Sequence, residues 1–129
     1  MKLNHLDLHV TDVPSLAHFL VQHFDFRAIT RPGSPALAVL TDDRGFTLVL
    51  QRQKRDTECY PDGFHIGFLL DTADEVSAQH ARLTAAAAAV SAVTTDARGT
   101  RCYCQAPGVL IEIGCNAGSR VDVSLSPRP

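Results

Sequence analysis

The fold is decided by the stretch at residues 3–12, which reads LNHLDLHVTD. Leu6, Leu8 and Val10 point one way, and the polar side chains between them point the other. Alternation with a period of two predicts a β-strand that has one apolar and one polar face. The closing Thr-Asp pair, followed by Pro14, predicts that a helix begins directly after this strand.

The rest of the first half extends this start into a β-α-β-β-β pattern. An apolar stripe at helical spacing predicts a helix that ends near Asp25, with Leu16, Phe19, Leu20 and Phe24 on its packed face. Turn-forming segments then separate three predicted strands, at residues 26–30, 36–41 and 46–51.

The same order of elements begins again after a charged, turn-prone segment. An apolar strand at 64–70 precedes a capping box at 72–75, and the helix that follows carries Val76, His80 and Leu83 on one face before it runs into alanines 85–89. Three more strands are predicted, at residues 91–95, 100–104 and 109–114.

The pattern predicts an α+β fold made of two βαβββ modules within a single domain, residues 1–129. One such module cannot cover both faces of its sheet, so two must pack together. The predicted boundaries are about 1–52 for the first module, 53–62 for a linker, 63–116 for the second module and 117–129 for a tail.

Composition narrows the classes of partner. The 129 residues carry a formal charge of -2, with 45% hydrophobic and 20% charged residues, so the chain can bury a core but offers no basic face for nucleic acid. No stretch approaches the ~20 apolar residues of a spanning helix, and the first residues lack the apolar core of a secretion signal. We therefore expect a soluble, cytoplasmic protein with no membrane partner.

The four cysteines are expected to be reduced thiols, because no export signal precedes them. Cys102 and Cys104 share one face of a predicted strand, and with Cys115 they form an alternative zinc-binding set. The spacing lacks the paired knuckles of structural zinc sites, so small buried apolar residues are the other interpretation.

Three polar residues lie among apolar neighbours on predicted strands that begin or end the modules: His5, His65 and Glu112. Two imidazoles and one carboxylate bind a divalent first-row metal readily, and three protein ligands leave coordination positions open for substrate or water. The set therefore predicts a catalytic rather than a structural metal site. A satisfied surface or core histidine is the alternative for each residue taken alone.

Three segments carry a resemblance to a known family: residues 3–12, residues 63–68 (GFHIGF) and residues 107–113 (PGVLIEI). They resemble, in the right order, the signature segments of the vicinal oxygen chelate superfamily, also called the glyoxalase, bleomycin-resistance and extradiol dioxygenase superfamily. The resemblance implies paired βαβββ modules in a cupped mixed sheet around a divalent metal. It also implies that His5, His65 and Glu112 are the metal ligands and that the chain forms a homodimer.

The resemblance does not fix the reaction. Glyoxalase I enzymes place a fourth ligand, a glutamate, at a position that matches Val49. Gln51 is the only polar residue near that position. The absence of the glutamate argues against glyoxalase I activity. Extradiol dioxygenases use iron on the same three ligand types, and Tyr103 resembles their tyrosine, although their additional histidine is absent. For the phosphonate-binding cluster of fosfomycin thiol transferases, Arg98 and Arg101 are the nearest candidates.

We therefore expect a metal-dependent enzyme, either a glyoxalase-like lyase or an extradiol-type dioxygenase (an oxidoreductase), that acts on a small molecule with vicinal oxygens. The cofactor is a divalent ion, iron, manganese, zinc or nickel, and His9, Asp7 or Tyr103 moves the proton. The alternative is a metal-free drug-binding or resistance protein whose dimer groove, lined by Phe46, Phe64 and Tyr103, sequesters an aromatic ligand.

Overall fold

The computed structural model describes residues 1–31 and 33–118, and it divides the chain into two compact units. The first unit contains residues 1–62 together with 106–109, and the second contains residues 63–105 and those from 110 onward. The predicted tail lies outside the described residues beyond position 118.

The first unit has the predicted β-α-β-β-β order. Its elements are β1 (His5–Val10), α1 (Val13–His23), β2 (Arg27–Ala28), β3 (Leu37–Thr41) and β4 (Thr47–Arg52). The sheet order is β1-β4-β3-β2, with β1 parallel to β4 and the other pairs antiparallel. It is therefore a mixed sheet with β1 on one edge and β2 on the other.

Helix α1 begins and packs as the sequence predicts. The Asp12 side chain caps it by accepting a hydrogen bond from Ser15 N at 3.1 Å, and Pro14 lies in the first turn. Leu16 and Leu20 are fully buried, and the helix packs against β3 and β4. Because the apolar stripe of α1 packs on one face of the sheet, the polar side chains of β1 lie on the opposite face.

The second unit repeats the order with one additional break. Its elements are β5 (His65–Leu69), α2 (Ala73–Ala85), β6 (Ala89–Val90), β7 (Thr94–Asp96), β8 (Gly99–Ala106) and β9 (Val109–Asn116). The sheet order is β5-β9-β8-β6, with β7 also paired to β8 and with β5 parallel to β9. The α+β fold with two mixed sheets and two helices is thus confirmed.

The continuous strand predicted at 91–95 is wrong. Two short strands, β6 and β7, flank residues 91–93 instead. The break begins at Ser91, whose hydroxyl accepts a hydrogen bond from Tyr103 N at 2.9 Å. The N–H of Tyr103 on β8 is thus bonded to a side chain instead of a backbone carbonyl of the neighbouring strand. The regular backbone pairing of the two strands is therefore interrupted at this position.

Helix α2 starts at its predicted cap and buries two of the three residues predicted on its packed face. Thr72 Oγ1 accepts a hydrogen bond from Glu75 N at 3.1 Å, as a capping box requires. The buried residues are Val76, Gln79 and Leu83, whereas His80, which was predicted on this face, is partly exposed. The helix ends at Ala85, the first of the alanines 85–89 into which it was predicted to run.

Candidate metal centre

The polar residues of the second unit gather on one face of its sheet. Along β9 the alternate residues Ile111, Ile113 and Cys115 are buried in the core, so Glu112 points to the opposite face. Register places Glu112 opposite Gly67 of β5, two residues after His65. The alternation of β9 therefore aims the carboxylate at the face that His65 occupies.

His65 and Glu112 are brought into direct contact. His65 Nε2 lies 2.9 Å from Glu112 Oε2, and the two side chains are 36% and 20% exposed. His65 Nδ1 lies 2.8 Å from the Gly63 carbonyl oxygen. Because a carbonyl only accepts, Nδ1 carries the proton of this bond, and Nε2 is the nitrogen that faces the carboxylate.

This contact requires a positive charge between its two atoms. A neutral imidazole with its proton on Nδ1 would set the Nε2 lone pair against a carboxylate oxygen, which is repulsive unless a proton or a cation lies between them. Two donors that bind one ion at about 2.1 Å and at right angles lie about 3.0 Å apart. The separation and the donor types of His65 and Glu112 therefore fit a divalent metal.

Arg101 lies on the other side of the carboxylate. Its Nη1 is 3.8 Å from Glu112 Oε1, so one oxygen of Glu112 faces an arginine and the other faces a histidine. The Arg101 side chain is only 12% exposed, and its Nε is buried without a hydrogen-bond partner among the described residues. From the sequence, Arg101 was only one of the two nearest candidates for a phosphonate-binding cluster, because its contact with Glu112 depends on strand pairing.

Tyr103 completes this group. Its ring lies edge-on to His65, with 5.7 Å between ring centroids and an interplanar angle of 88°. Tyr103 and Arg101 lie on the same face of β8. Cys102 and Cys104, which alternate with them along the strand, lie on the other face and are fully buried. Of the predicted site residues, the second unit therefore brings together His65, Glu112 and Tyr103.

The remaining predicted residues lie on the exposed face of β1 in the first unit. His5 Nδ1 lies 2.7 Å from the Asn4 side-chain oxygen, so Nε2 is again the nitrogen left to bind a partner. Asp7 Oδ2 accepts a hydrogen bond from Gln51 Nε2 at 2.6 Å, and Asp7 Oδ1 lies 3.3 Å from His9 Nε2. Asp7 therefore links His9 to the neighbouring strand.

A cleft of about 330 Å³ opens beside this pair, lined by Asp7, His9, Gln53, Glu58, Cys59 and Tyr60. The Tyr60 hydroxyl accepts a hydrogen bond from His9 N at 2.8 Å and so covers the outer edge of β1. Sequence reasoning missed Tyr60, which lies in the charged segment after β4. A single tyrosine in a turn-prone stretch gives no signal that it folds back on the first strand.

The strand register identifies the counterpart of Glu112 in the first unit. In the second unit the residue two positions after His65 pairs with Glu112, and in the first unit the residue two positions after His5 pairs with Val49. The two pairs belong to equivalent parallel ladders, β5 with β9 and β1 with β4. Val49 therefore occupies in the first unit the ladder position that Glu112 occupies in the second.

Within residues 1–31 and 33–118 of the chain, no three His, Cys, Asp or Glu side chains form a group that could hold a metal ion. The second unit supplies the pair His65 and Glu112, and His5 belongs to the first unit. The four cysteines are thiols rather than disulfides, with Cys59 exposed and Cys102, Cys104 and Cys115 buried. Burial raises the pKa of the Cys102 and Cys104 thiols, which fits small apolar core residues.

Two units of βαβββ type, each with a mixed sheet, are the architecture of glyoxalase-like folds. The family model of the Glyoxalase/Bleomycin resistance protein/Dioxygenase superfamily matches residues 2–113. The chain therefore belongs to that superfamily, as the signature segments predicted. A comparison with curated proteins gives no match.

Solved structures support the same assignment. A possible glyoxalase from Bacillus cereus is 32% identical, with a TM-score of 0.77 over 89% of this chain and 99% of that one. Lactoylglutathione lyase from Agrobacterium tumefaciens is 16% identical, with a TM-score of 0.72 over 88% and 92%. The fosfomycin resistance protein FosX from Listeria monocytogenes, in a mutant form complexed with Mn(II) and 1S,2S-dihydroxypropylphosphonic acid, is 20% identical, with a TM-score of 0.71 over 94% and 95%. The last two likenesses show the fold alone.

One further property concerns membranes. In the part of the chain that the structure describes, neither helix is long and apolar enough to span a bilayer.

Proposed function

We propose that the chain is a metal-dependent enzyme acting on a small molecule with vicinal oxygens, and that His5, His65 and Glu112 hold the divalent ion. The observation that carries the proposal is the contact of His65 Nε2 with Glu112 Oε2 at 2.9 Å, with His65 Nδ1 bonded to the Gly63 carbonyl. A histidine whose second nitrogen is held by a backbone carbonyl has the tautomer that metal ligation requires. Iron, manganese, zinc and nickel all accept this donor set.

A bound divalent ion stabilises negative charge that develops on two neighbouring substrate oxygens. The chain's own residues orient the site and move the proton. Asp7 accepts a hydrogen bond from Gln51 and contacts Nε2 of His9, so it orients the His9 ring. His9 lines the cleft of the first unit, where its imidazole can exchange a proton with a bound molecule. Tyr103, edge-on to His65, offers a phenolic hydrogen-bond donor.

Two reaction classes remain within this proposal, a glyoxalase-like lyase and an extradiol-type dioxygenase. Val49 at the counterpart of Glu112 speaks against a four-ligand glyoxalase I site. A set of three protein ligands leaves more coordination positions of the metal open than a set of four. A reaction that binds both a chelating substrate and dioxygen requires these open positions. We also propose that the working form is a cytoplasmic homodimer, for which sedimentation velocity provides the test of assembly.

The proposal is tested by metal binding. Purified chain, stripped with a chelator, is titrated calorimetrically with Mn(II), Fe(II), Zn(II) and Ni(II), and we expect one ion for each His65–Glu112 pair. Glu112→Gln should weaken binding by at least a hundredfold, because it removes a ligand charge while preserving side-chain shape. Asp43→Asn, the same acid-to-amide change at an exposed turn position, is the matched control.

Two observations favour a second candidate function, a metal-free sequestration protein. Glu112 already faces two cationic or potentially cationic groups, His65 and Arg101, so its charge is compensated without a metal. Phe64 is 37% exposed beside His65, as expected of a surface that stacks an aromatic ligand. Lack of binding to any of the four metals, together with binding of an aromatic ligand that is lost in Phe64→Ala, would favour this metal-free sequestration protein.

A further inference from the structure

A pocket of about 390 Å³ lies in the first unit, between helix α1 and the outer strands of its sheet. Ala17 and Val21, one helical turn apart, line it from α1, and Ala28 of β2 and Ala38 of β3 line it from the sheet. Because most of these side chains are single methyl groups, the space between helix and sheet stays unfilled at this edge. A volume of this size falls within the range of small-molecule sites.

The pocket lies on the opposite face of the sheet from the polar residues of β1. Ala28 pairs with Leu40, and Leu40 and Ala38 are buried on the face against which α1 packs. The exposed side chains of His5 and Asp7 point away from that face. The pocket is therefore no part of the proposed metal centre.

Four polar side chains line the same pocket, and each can donate a hydrogen bond: His18, Thr30, Arg31 and Ser34. The Thr30 hydroxyl accepts a hydrogen bond from the N–H of Val39 at 3.0 Å. The Ser34 hydroxyl accepts hydrogen bonds from two backbone N–H groups, at 3.3 and 3.4 Å. Each hydroxyl oxygen thus already serves as an acceptor, which leaves its hydrogen to donate to a ligand.

The charge of this pocket is positive. Among the described residues, no acidic side chain lines it. Arg31 forms no ion pair with a carboxylate in residues 1–31 and 33–118, so its permanent charge is available to a ligand. A set of side-chain donors that includes a cation matches the oxygens of a carboxylate, and the methyl groups beside it match an apolar body.

We propose that this pocket is a second binding site, for a small carboxylate with an apolar body, such as an aromatic acid. Arg31 and the hydroxyls of Thr30 and Ser34 bind the carboxylate, and the methyl groups of Ala17 and Ala28 contact the apolar body. This inference does not rest on the proposed function, because no metal takes part in it.

Benzoate is the probe, because it carries one carboxylate on an apolar ring. The full, isotopically labelled chain is titrated with benzoate by NMR, with and without saturating Zn(II). We expect saturable shifts of the backbone amides of Ala17, Ala28 and Ala38 that are the same in both titrations. Benzyl alcohol keeps the ring without the charge, and acetate keeps the charge without the ring, so each should bind at least about tenfold more weakly.

The charge of the pocket is tested with Arg31→Gln. This variant should bind benzoate about tenfold more weakly, as expected for the loss of one charge-assisted hydrogen bond, and should bind benzyl alcohol as the wild type does. Arg27→Gln is the matched control, because Arg27 precedes Ala28 on β2 and so points to the other face of the sheet. It should change neither affinity.

The shape of the pocket is tested with Ala17→Leu. Leucine fills the space from the helix side and suits a helix, so benzoate and benzyl alcohol should both lose saturable binding while the chain stays folded. Ala81→Leu, the same change at an exposed position of α2, is the matched control. Thermal unfolding checks both variants, and if Ala17→Leu does not fold, Arg31→Gln decides alone.

The contrary outcomes are distinct. The proposal is overturned by the absence of saturable benzoate shifts at these amides, by shifts that need Zn(II), or by unchanged binding in Arg31→Gln. Shifts of the same amides with protein concentration alone would assign this face to a second copy of the chain instead. Failure of the chain to bind any divalent ion overturns only the proposed function and leaves this pocket unaffected.

Discussion

Gly67 lies directly opposite Glu112 in the parallel register of β5 and β9, so the residue paired with Glu112 contributes no side chain over the carboxylate. A Cβ added at Gly67 would meet Glu112 Oε2 at 3.9 Å, an ordinary van der Waals distance. Gly114 flanks the other oxygen, with its added Cβ at 3.7 Å from Oε1. Glycines at both positions therefore add no side chain over the two carboxylate oxygens, one of which faces His65 and the other Arg101.

The first prediction follows from this clearance. Gly67→Val should weaken metal binding by at least tenfold, because its γ-carbons extend beyond the 3.9 Å clearance toward Glu112 Oε2. Valine is favoured in strands, so the melting temperature should not fall. Calorimetric metal titration measures the effect, and Gly67→Ala, whose Cβ fits, is the control. Equal metal affinity in all three proteins would contradict the idea that the glycine keeps the carboxylate open.

The candidate site was only partly accessible to sequence reasoning. Alternation along β1 and β9 predicted which faces His5 and Glu112 occupy, because a period of two fixes side-chain direction once a strand exists. It could not predict that Arg101 contacts Glu112 or that Tyr60 accepts from His9, because both contacts depend on which segments become neighbours. That information belongs to tertiary packing.

The fold was more predictable than its irregularities. Caps at Asp12 and Thr72 and the apolar stripes gave both helices to within a few residues. The break at Ser91 was missed because a serine hydroxyl competes with the backbone for Tyr103 N only when β8 is already beside it. The exact end of α2 was not predicted because a run of alanines carries no local stop signal.

A second prediction concerns that helix end. Ala87 has a positive φ of 60°, and hydrogen bonds run from Ala87 N to Thr84 O and from Ala88 N to Leu83 O. These bonds form a Schellman motif with alanine at the left-handed position where glycine is usual. Ala87→Gly should raise the free energy of unfolding by about 1 kcal/mol, measured by urea denaturation.

The neighbouring alanine is the control for this change. Ala86, the C-cap, has a φ of -84°, so glycine there gains nothing from relief of strain. Ala86→Gly should be neutral or slightly destabilising, because glycine loses more backbone entropy on folding. A gain at position 86 as large as at position 87 would show that strain is not the cause.

A third prediction concerns Gly99 at the start of β8. Its φ is +133°, and an added Cβ would collide with the Cys115 carbonyl oxygen and lie 2.7 Å from Ala117 N. Gly99→Ala should therefore cost roughly 2–4 kcal/mol of stability, because both backbone conformation and space exclude the methyl group. Gly67→Ala, which has room, should cost little, and thermal unfolding of the two variants gives the comparison.

A fourth prediction distinguishes the cysteines. Cys59 is exposed, whereas Cys102 and Cys104 are fully buried, and burial raises the pKa of both of their thiols. Only thiolates react readily with alkylating reagents, so iodoacetamide should modify Cys59 in the native protein and the buried pair only after denaturation. Peptide mass spectrometry measures which cysteines are modified. Rapid labelling of Cys104 in the native protein would contradict its burial on the inner face of β8.

The same two thiols predict how stability changes in alkaline solution. Their folded-state pKa values lie above the ordinary thiol value of 9.0, so the unfolded chain loses these protons first as the pH rises. The unfolded state then binds fewer protons than the folded state, and stability falls with increasing pH from about 8.5 upward. Urea midpoints measured between pH 7 and pH 10 should therefore decrease. The Cys102→Ala/Cys104→Ala double variant, with its own lower starting stability, should show a shallower decrease over the same range.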